Sequence, residues 1–174
     1  MAKKPDDDFS DEDFPEYDDI GEDEIRVEAY IHFILPINNK YVQIPEKHRK
    51  EIEKNMKRIV NESKCPLFAV YCMPDHAHLL INLNPELSMN DFFNNVNKKT
   101  SAFFTEYNIT KEKFNFHEDY AAYGTSKRYL DREMEYILNQ KNVHKKITFK
   151  EEFKKLLTEN GMEYDEKEIL KWLD

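Results

Sequence analysis

Hydrophobic and polar positions alternate along this chain with two periods, and the changes of period mark its elements. IRVEAYIHFILP, residues 25–36, is a nearly continuous apolar run that predicts a buried strand, closed by Pro36 and the polar turn Asn38-Asn39-Lys40. In PEKHRKEIEKNMKRIVNES, Ile52, Met56, Ile59 and Val60 recur at helical spacing, with Pro45 near the start and a basic outer face. CPLFAVYCMP and HAHLLINLNP predict two strands close enough to pair as an antiparallel hairpin. LSMNDFFNNVNKKTSAFFTEY predicts a second long helix, with Ser88 and Asp91 at the spacing of a capping start signal. The aromatic, alternating KFNFHEDYAAYGTS contains a fourth strand. SKRYLDREMEYILNQKN then predicts a third helix, capped by Thr125 or Ser126. TFKEEFKKLLTENG predicts a fourth, with Thr148 and Glu151 as its capping box and Gly161 as its stop. EKEILKWL reads as a short last helix.

Strand, helix, strand, strand, helix, strand is the βαββαβ order. It predicts an α+β fold, a ferredoxin-like or RRM-like antiparallel sheet with helices on one face and additional C-terminal helices. The second face of such a sheet must be covered or used for binding.

The 174 residues suit one domain, and 40% hydrophobic with 35% charged residues is a globular balance. No apolar run approaches the ~20 residues of a membrane span. MAKKPDDDFSDED at the N-terminus has no apolar stretch of the signal-peptide kind, so the expected location is cytoplasmic. The formal charge of −9 divides unevenly. Residues 1–24 hold twelve acids against two lysines, a charge of −10, so residues 25–174 carry +1. The division predicts an acidic, unstructured segment 1–24 and a single folded domain 25–174, and it removes the argument that −9 makes against a nucleic-acid partner. The acidic segment reads as a solubilising tail or as an arm covering a basic groove. Cys65 and Cys72, seven residues apart, form no metal knuckle or redox pair.

Chemistry concentrates in YCMPDHAHLLI, residues 71–81. A strand's period of two puts His76 and His78 on one face and Ala77 and Leu79 on the other. By spacing alone the pair is either half of a metal site or the polar face of a half-exposed strand. No H-E-x-x-H and no helpfully spaced cysteine accompanies it. On the third helix Leu130, Met134, Ile137 and Leu138 form the docking stripe. Tyr129, Glu133, Tyr136 and Gln140 form a second seam beside it.

Together these stretches resemble the single-tyrosine HUH transposases, the insertion-sequence-200-like family with its REP-associated relatives. MPDHAHLLINLNPELSMNDFFNNVNKKTSAFF looks like the family's core. FNFHEDYAAYGTS is similar to the aromatic segment before the tyrosine helix, and YILNQKNVHKKITFKEEFKKLLTENGMEYDEKEI to the C-terminal stretch. The resemblance covers about residues 25–170 and leaves the acidic segment outside. Departures are Ala77 between the histidines, PINNK without a Lys-x-Arg pair, Phe116-His117 in place of Trp-Gln, and Asp119 and Ala121 near expected glycines.

The resemblance implies cleavage and rejoining of single-stranded DNA through a 5′-phosphotyrosine at hairpin-containing ends, by a homodimer that needs Mg²⁺ or Mn²⁺. Tyr136 matches the nucleophile, and His76, His78 and Gln140 match the metal ligands. Glu133 is a candidate proton carrier, and Asp75 a candidate for orienting a ligand histidine or forming a turn. Lys98, Lys99, Lys127, Arg128, Lys141, Lys145 and Lys146 are candidate phosphate contacts. Phe114, Phe116, Tyr120 and Tyr123 are stackers for bases or core residues. His32 reads as structural, and His117 and His144 as surface residues. The alternative is a domesticated or inactive HUH-fold protein that binds DNA hairpins without cutting; a third reading is an unrelated metal-binding α+β protein.

Overall fold

Four strands alternate their side chains so that one sheet serves two cores. The computed structural model describes residues 27–174; the acidic segment 1–24 lies outside the described residues. The elements are β1 (Tyr30–Pro36), α1 (Arg49–Glu62), β2 (Leu67–Cys72), β3 (His76–Asn82), α2 (Met89–Glu106), β4 (Ala121–Thr125), α3 (Leu130–Leu138), α4 (Gln140–Val143) and α5 (Phe149–Glu159). The sheet order is β2-β3-β1-β4, antiparallel at every neighbour. This is the expected ferredoxin-like α+β topology with C-terminal helices added.

Ile31, Phe33 and Leu35 of β1 and Ala77, Leu79 and Ile81 of β3 share one face. They form the main core with Ile52, Met56 and Ile59 of α1 and Phe92, Val96 and Phe104 of α2. The opposite positions face the other way. Tyr30, Ala69 and Leu80 pack with Leu130 and Ile137 of α3, while Ile34, Ala121 and Tyr123 pack with Phe149, Phe153 and Leu156 of α5. The second face is therefore roofed by α3 and α5, so of the two expected alternatives, covered or open for binding, it is covered. No helix among the described residues is long and apolar enough to cross a membrane.

Boundaries moved where local chemistry overrode periodicity. The capping box at Thr148 forms as expected, with Glu151 answering the N-cap backbone, and Ser88 accepts from the Asp91 amide. Gly161 takes the left-handed conformation (φ 66°) past the end of α5, where a glycine costs least. Ser126 precedes a 3₁₀ turn, Lys127–Tyr129, and makes no capping bond with its side chain. The third helix stops at Leu138 because Asn139 (φ −97°, ψ 15°) leaves helical geometry, and α4 restarts at Gln140. That break turns the Gln140 side chain to full burial. The expected last helix reduces to a 3₁₀ turn, Lys171–Leu173, after Leu170 at positive φ.

Phe33 is fully buried against the Phe92 ring, 4.9 Å between centroids. Phe33→Ala should cost about 3–5 kcal/mol, read as a lower urea midpoint at unchanged m-value. Thr148→Ala, which removes the two hydroxyl hydrogen bonds with Glu151 at the helix start, should cost about 1 kcal/mol in the same measurement.

Candidate metal centre

His76 and His78 lie on the face of β3 that α3 and α5 cover, and both are fully buried. A solvated polar face is thereby excluded. A buried imidazole needs partners for its ring nitrogens, and each finds one at Nδ1. Asp75 Oδ1 is 2.6 Å from His76 Nδ1. His32 Nε2 is 2.8 Å from His78 Nδ1. The β1–β4 register sets His32 opposite Tyr123, whose hydroxyl lies 2.7 Å from His32 Nδ1. Glu133 Oε2 is 3.0 Å from the same nitrogen. The proton count is consistent along this chain. His32 donates from Nδ1 to Glu133 and accepts at Nε2 from His78 Nδ1. His76 donates from Nδ1 to Asp75. Both β3 histidines then direct Nε2 inward, the arrangement that outer partners impose on metal-ligating histidines.

Into that space α5 sends Glu152, also fully buried. His76 Nε2 is 3.4 Å from Glu152 Oε2, and His78 Nε2 is 3.4 Å from Glu152 Oε1. His76, His78 and Glu152 form the group among the described residues able to hold a metal ion. Two of its atoms, His78 Nε2 and Glu152 Oε2, are buried without a hydrogen-bond partner. Unpartnered buried lone pairs of this kind in one cluster fit a divalent cation.

Electrostatics agree. Burial pushes the His78 imidazole down to about 3, so it is neutral and free to ligate. Burial opposes charge on His76, but hydrogen bonds donated to Asp75 and Glu152 outweigh it and hold its pKa above the usual value. Burial would raise Glu152, yet the contacts with His144, His76 and His78 hold its carboxyl well below the carboxylate range. The His76 and Glu152 shifts favour positive charge at the centre, and the His78 shift leaves a neutral ring with a free lone pair.

The tyrosine seam meets this cluster. The Tyr136 hydroxyl donates to Glu152 Oε1, and Gln140 Nε2 donates to the same oxygen at 2.8 Å. Gln140 Oε1 is 3.3 Å from His76 Nε2. Burial, together with the Glu152 charge and hydrogen bond, raises the Tyr136 phenol well above its ordinary pKa. A cleft of about 470 Å³, lined by Tyr129, Arg132, Glu133, Tyr136 and Lys155 among others, opens at Tyr136.

Other sequence candidates separate. Asp75 orients His76, and Glu133 acts on His32. Lys98 and Lys99 ride α2, whose core is across the sheet, and Lys99 pairs with Glu62 at 2.8 Å. Lys127 lies 3.6 Å from Glu28, and Arg128 sits over the Tyr129 ring. Lys141 is exposed on α4. Lys145 and Lys146 line a groove with Asp75, His144 and Thr148. Phe114 and Phe116 are core residues, Tyr120 stacks on Phe93 at 4.3 Å, and Tyr123 is held by His32, so the aromatic segment builds the core. His117 stacks on Trp172. Two site residues escaped the sequence reading. Glu152 sits in the apolar stripe of Phe149, Phe153 and Leu156, where an acid is out of pattern. His144, one turn beyond Gln140, reaches 2.9 Å from Glu152 Oε2 instead of facing solvent.

His78 supplies a pH signature. Its pKa is lower in the folded chain than the ordinary 6.5, so the unfolded chain takes up the proton first. Its contribution is complete above about pH 6.5 and is lost as pH falls toward the folded value. In metal-free protein, stability should fall by about 1 kcal/mol per pH unit from about pH 6.5 to 5 through this group, a slope seen in urea titrations and removed in His78→Asn.

Comparison with known proteins places these features. The family model described as "Transposase IS200 like" matches residues 26–140. No curated protein matches the chain. Among solved structures, a protein of Deinococcus radiodurans R1 provisionally described as a transposase is similar over 69% of this chain and 95% of its own, at 18% identity and TM-score 0.53. A REP-associated tyrosine transposase bound to a REP hairpin is similar over 70% of this chain and 72% of its own, at 10% identity and TM-score 0.52. Both share the fold. With the family match spanning most of the described residues and a His-His-Glu cluster on its sheet, the chain belongs to the IS200-like transposase family.

Proposed function

We propose that this protein is a metal-dependent endonuclease and transposase for single-stranded DNA, cutting and rejoining through a 5′-phosphotyrosine on Tyr136. The observation that carries the reading is the hydrogen bond from the Tyr136 hydroxyl to Glu152, which holds a phenol oxygen against the metal-capable cluster. In the step, Tyr136 Oη attacks the scissile phosphorus as the bond to the DNA 3′ oxygen breaks. The phenol proton leaves toward Glu152 Oε1, and the departing oxygen takes a proton from water to become a 3′-OH. The phosphotyrosine keeps the energy of the broken diester, so a later 3′-OH can reverse the transfer without ATP. His76, His78 and Glu152 would hold a divalent ion, which would supply positive charge to polarise a phosphoryl oxygen and offset the carboxylate that keeps the phenol protonated. Gln140, hydrogen-bonded to Glu152 one turn after Tyr136, couples the ion to the position of the nucleophile. Asp75 and His32 fix the two ligand rings.

The substrate in this reading is single-stranded DNA carrying a hairpin, the class of ligand named for the REP-associated relative. DNA enters by the cleft beside Tyr136, where Arg132 and Lys155 supply cations and the half-exposed Tyr129 ring a stacking face. Residues 25–174 act as one domain, with the acidic segment 1–24 outside it, and the working unit is a homodimer.

Hairpin-bearing single-stranded DNA with Mn²⁺ should give a covalent adduct resolved on a denaturing gel. Tyr136→Phe and chelation should each abolish it. Hairpin binding by ion-loaded protein with no adduct would replace this reading with that of a non-cutting hairpin-binding protein. Asp75→Asn should retain the adduct but weaken ion affinity by about 10–100-fold, as loss of an outer partner does.

A further inference from the structure

Arg132 is a cation without a partner beside the candidate nucleophile. It sits on α3 one turn before Tyr136, a spacing that sets both residues on one side of the helix. A helical side chain leans back over the preceding turn, so the Tyr136 ring lies toward the turn that carries Arg132. Both line the cleft of about 470 Å³ bounded by α3, α5 and the end of β4. The other charged groups lining that cleft are engaged. Glu133 Oε2 is 3.0 Å from His32 Nδ1, and Lys155 is 3.9 Å from Glu159 on the next turn of α5. Arg132 is exposed and has no ion pair or hydrogen bond among the described residues. Its guanidinium gives the fold no polar contact, and its charge stays available to a ligand.

The cleft is a place where such a charge acts strongly. A phosphodiester brought against Tyr136 is an anion, and attack on phosphorus gathers further negative charge on its non-bridging oxygens. Glu152, hydrogen-bonded to the Tyr136 hydroxyl, adds another anion beside it. His76, His78 and Glu152 are buried and do not line the cleft, so Arg132 meets a phosphate at Tyr136 from a different direction than they do. A guanidinium offers two parallel N–H donors to two phosphoryl oxygens and stays protonated. It therefore supplies geometry as well as charge, which an ammonium does not.

We propose that Arg132 is a catalytic residue that clamps the scissile phosphate, donating to its two non-bridging oxygens while Tyr136 attacks. This rests on the reading of Tyr136 as the nucleophile. Arg132 gives up no proton in the step. The bond from Tyr136 Oη to phosphorus forms, the bond from phosphorus to the DNA 3′ oxygen breaks, and Arg132 offsets the charge that collects on the oxygens left over. Cations farther along a bound strand add affinity alone. A cation one helical turn from the nucleophile acts on the phosphate under attack, so its effect is larger in the transition state than in the bound complex.

The test uses the full chain, hairpin-bearing single-stranded DNA and Mn²⁺, with protein in saturating excess so that one turnover is read. Arg132→Ala should slow adduct formation by about 100-fold, the scale of losing one donor to a developing oxyanion. Its loss of hairpin affinity should be at least about tenfold smaller than its loss of rate. Arg132→Lys, which keeps the charge and loses the fork, should recover only part of the rate. A methylphosphonate at the scissile position removes the charge that the clamp answers, so the ratio of parent to Arg132→Ala rates should fall toward one. Weaker hairpin binding with an unchanged rate at saturation would overturn the assignment and make Arg132 a strand-binding cation. A ratio that the methylphosphonate leaves intact would overturn it as well. Both results leave the Tyr136 reading standing, since the parent chain still forms its adduct. A parent chain that binds the hairpin and ion without any adduct would overturn both.

Discussion

A carboxylate buried among imidazoles sets the terms for everything around it. Glu152 is fully enclosed, and isolating a charge from water costs several kcal/mol unless opposite charge or hydrogen bonds repay it. The Tyr136 hydroxyl and the Gln140 amide answer Oε1, but Oε2 has no hydrogen bond. His76 responds by holding a raised pKa, so a proton there partly serves where an ion would serve better. His78 stays neutral because burial outweighs the pull of Glu152 on its proton.

The sheet makes this constraint stable. β3 presents two histidines on one face, and on the other Ala77, Leu79 and Ile81 lock into the core formed with α1 and α2. The two metal-capable histidines are thus carried on a rigid strand anchored from behind. β1 stands beside β3 and delivers His32 to the back of His78, and β4 delivers Tyr123 to the back of His32. Two helices of different origin close the face. α3 brings Tyr136, and α5 brings Glu152, so the two meet only if both pack on the same strip of sheet.

The resting arrangement orients the tyrosine and also restrains it. A phenol against a carboxylate in a desolvated space is a poor nucleophile, because its proton is held more tightly than in water. In the proposed reaction, positive charge brought to the cluster would act on both partners, weakening the carboxylate's grip and drawing a phosphate in. Tyr136 and the metal-capable cluster are joined through one side chain, Glu152.

Much of this was legible in the sequence, because its signals are local. Period-two alternation placed His76 and His78 on one face, helical spacing put Tyr136 and Gln140 on one seam, and the Thr148–Glu151 spacing marked the start of α5. The βαββαβ order implied the sheet, since short connections leave few alternatives. The partners of those residues were not legible. Glu152 is an acid in an apolar stripe, and nothing in α5 alone says which buried group it meets. His32 lies 46 residues from His78 and Tyr123 91 residues from His32, pairs that exist only through strand register. His144 looked like a surface histidine until the break at Asn139 turned Gln140 inward and brought the next turn with it. The sequence by itself determined which elements form and which faces carry chemistry, because periodicity and capping act over a few residues. Tertiary structure alone decided which charges share a desolvated space, because that depends on how distant segments pack.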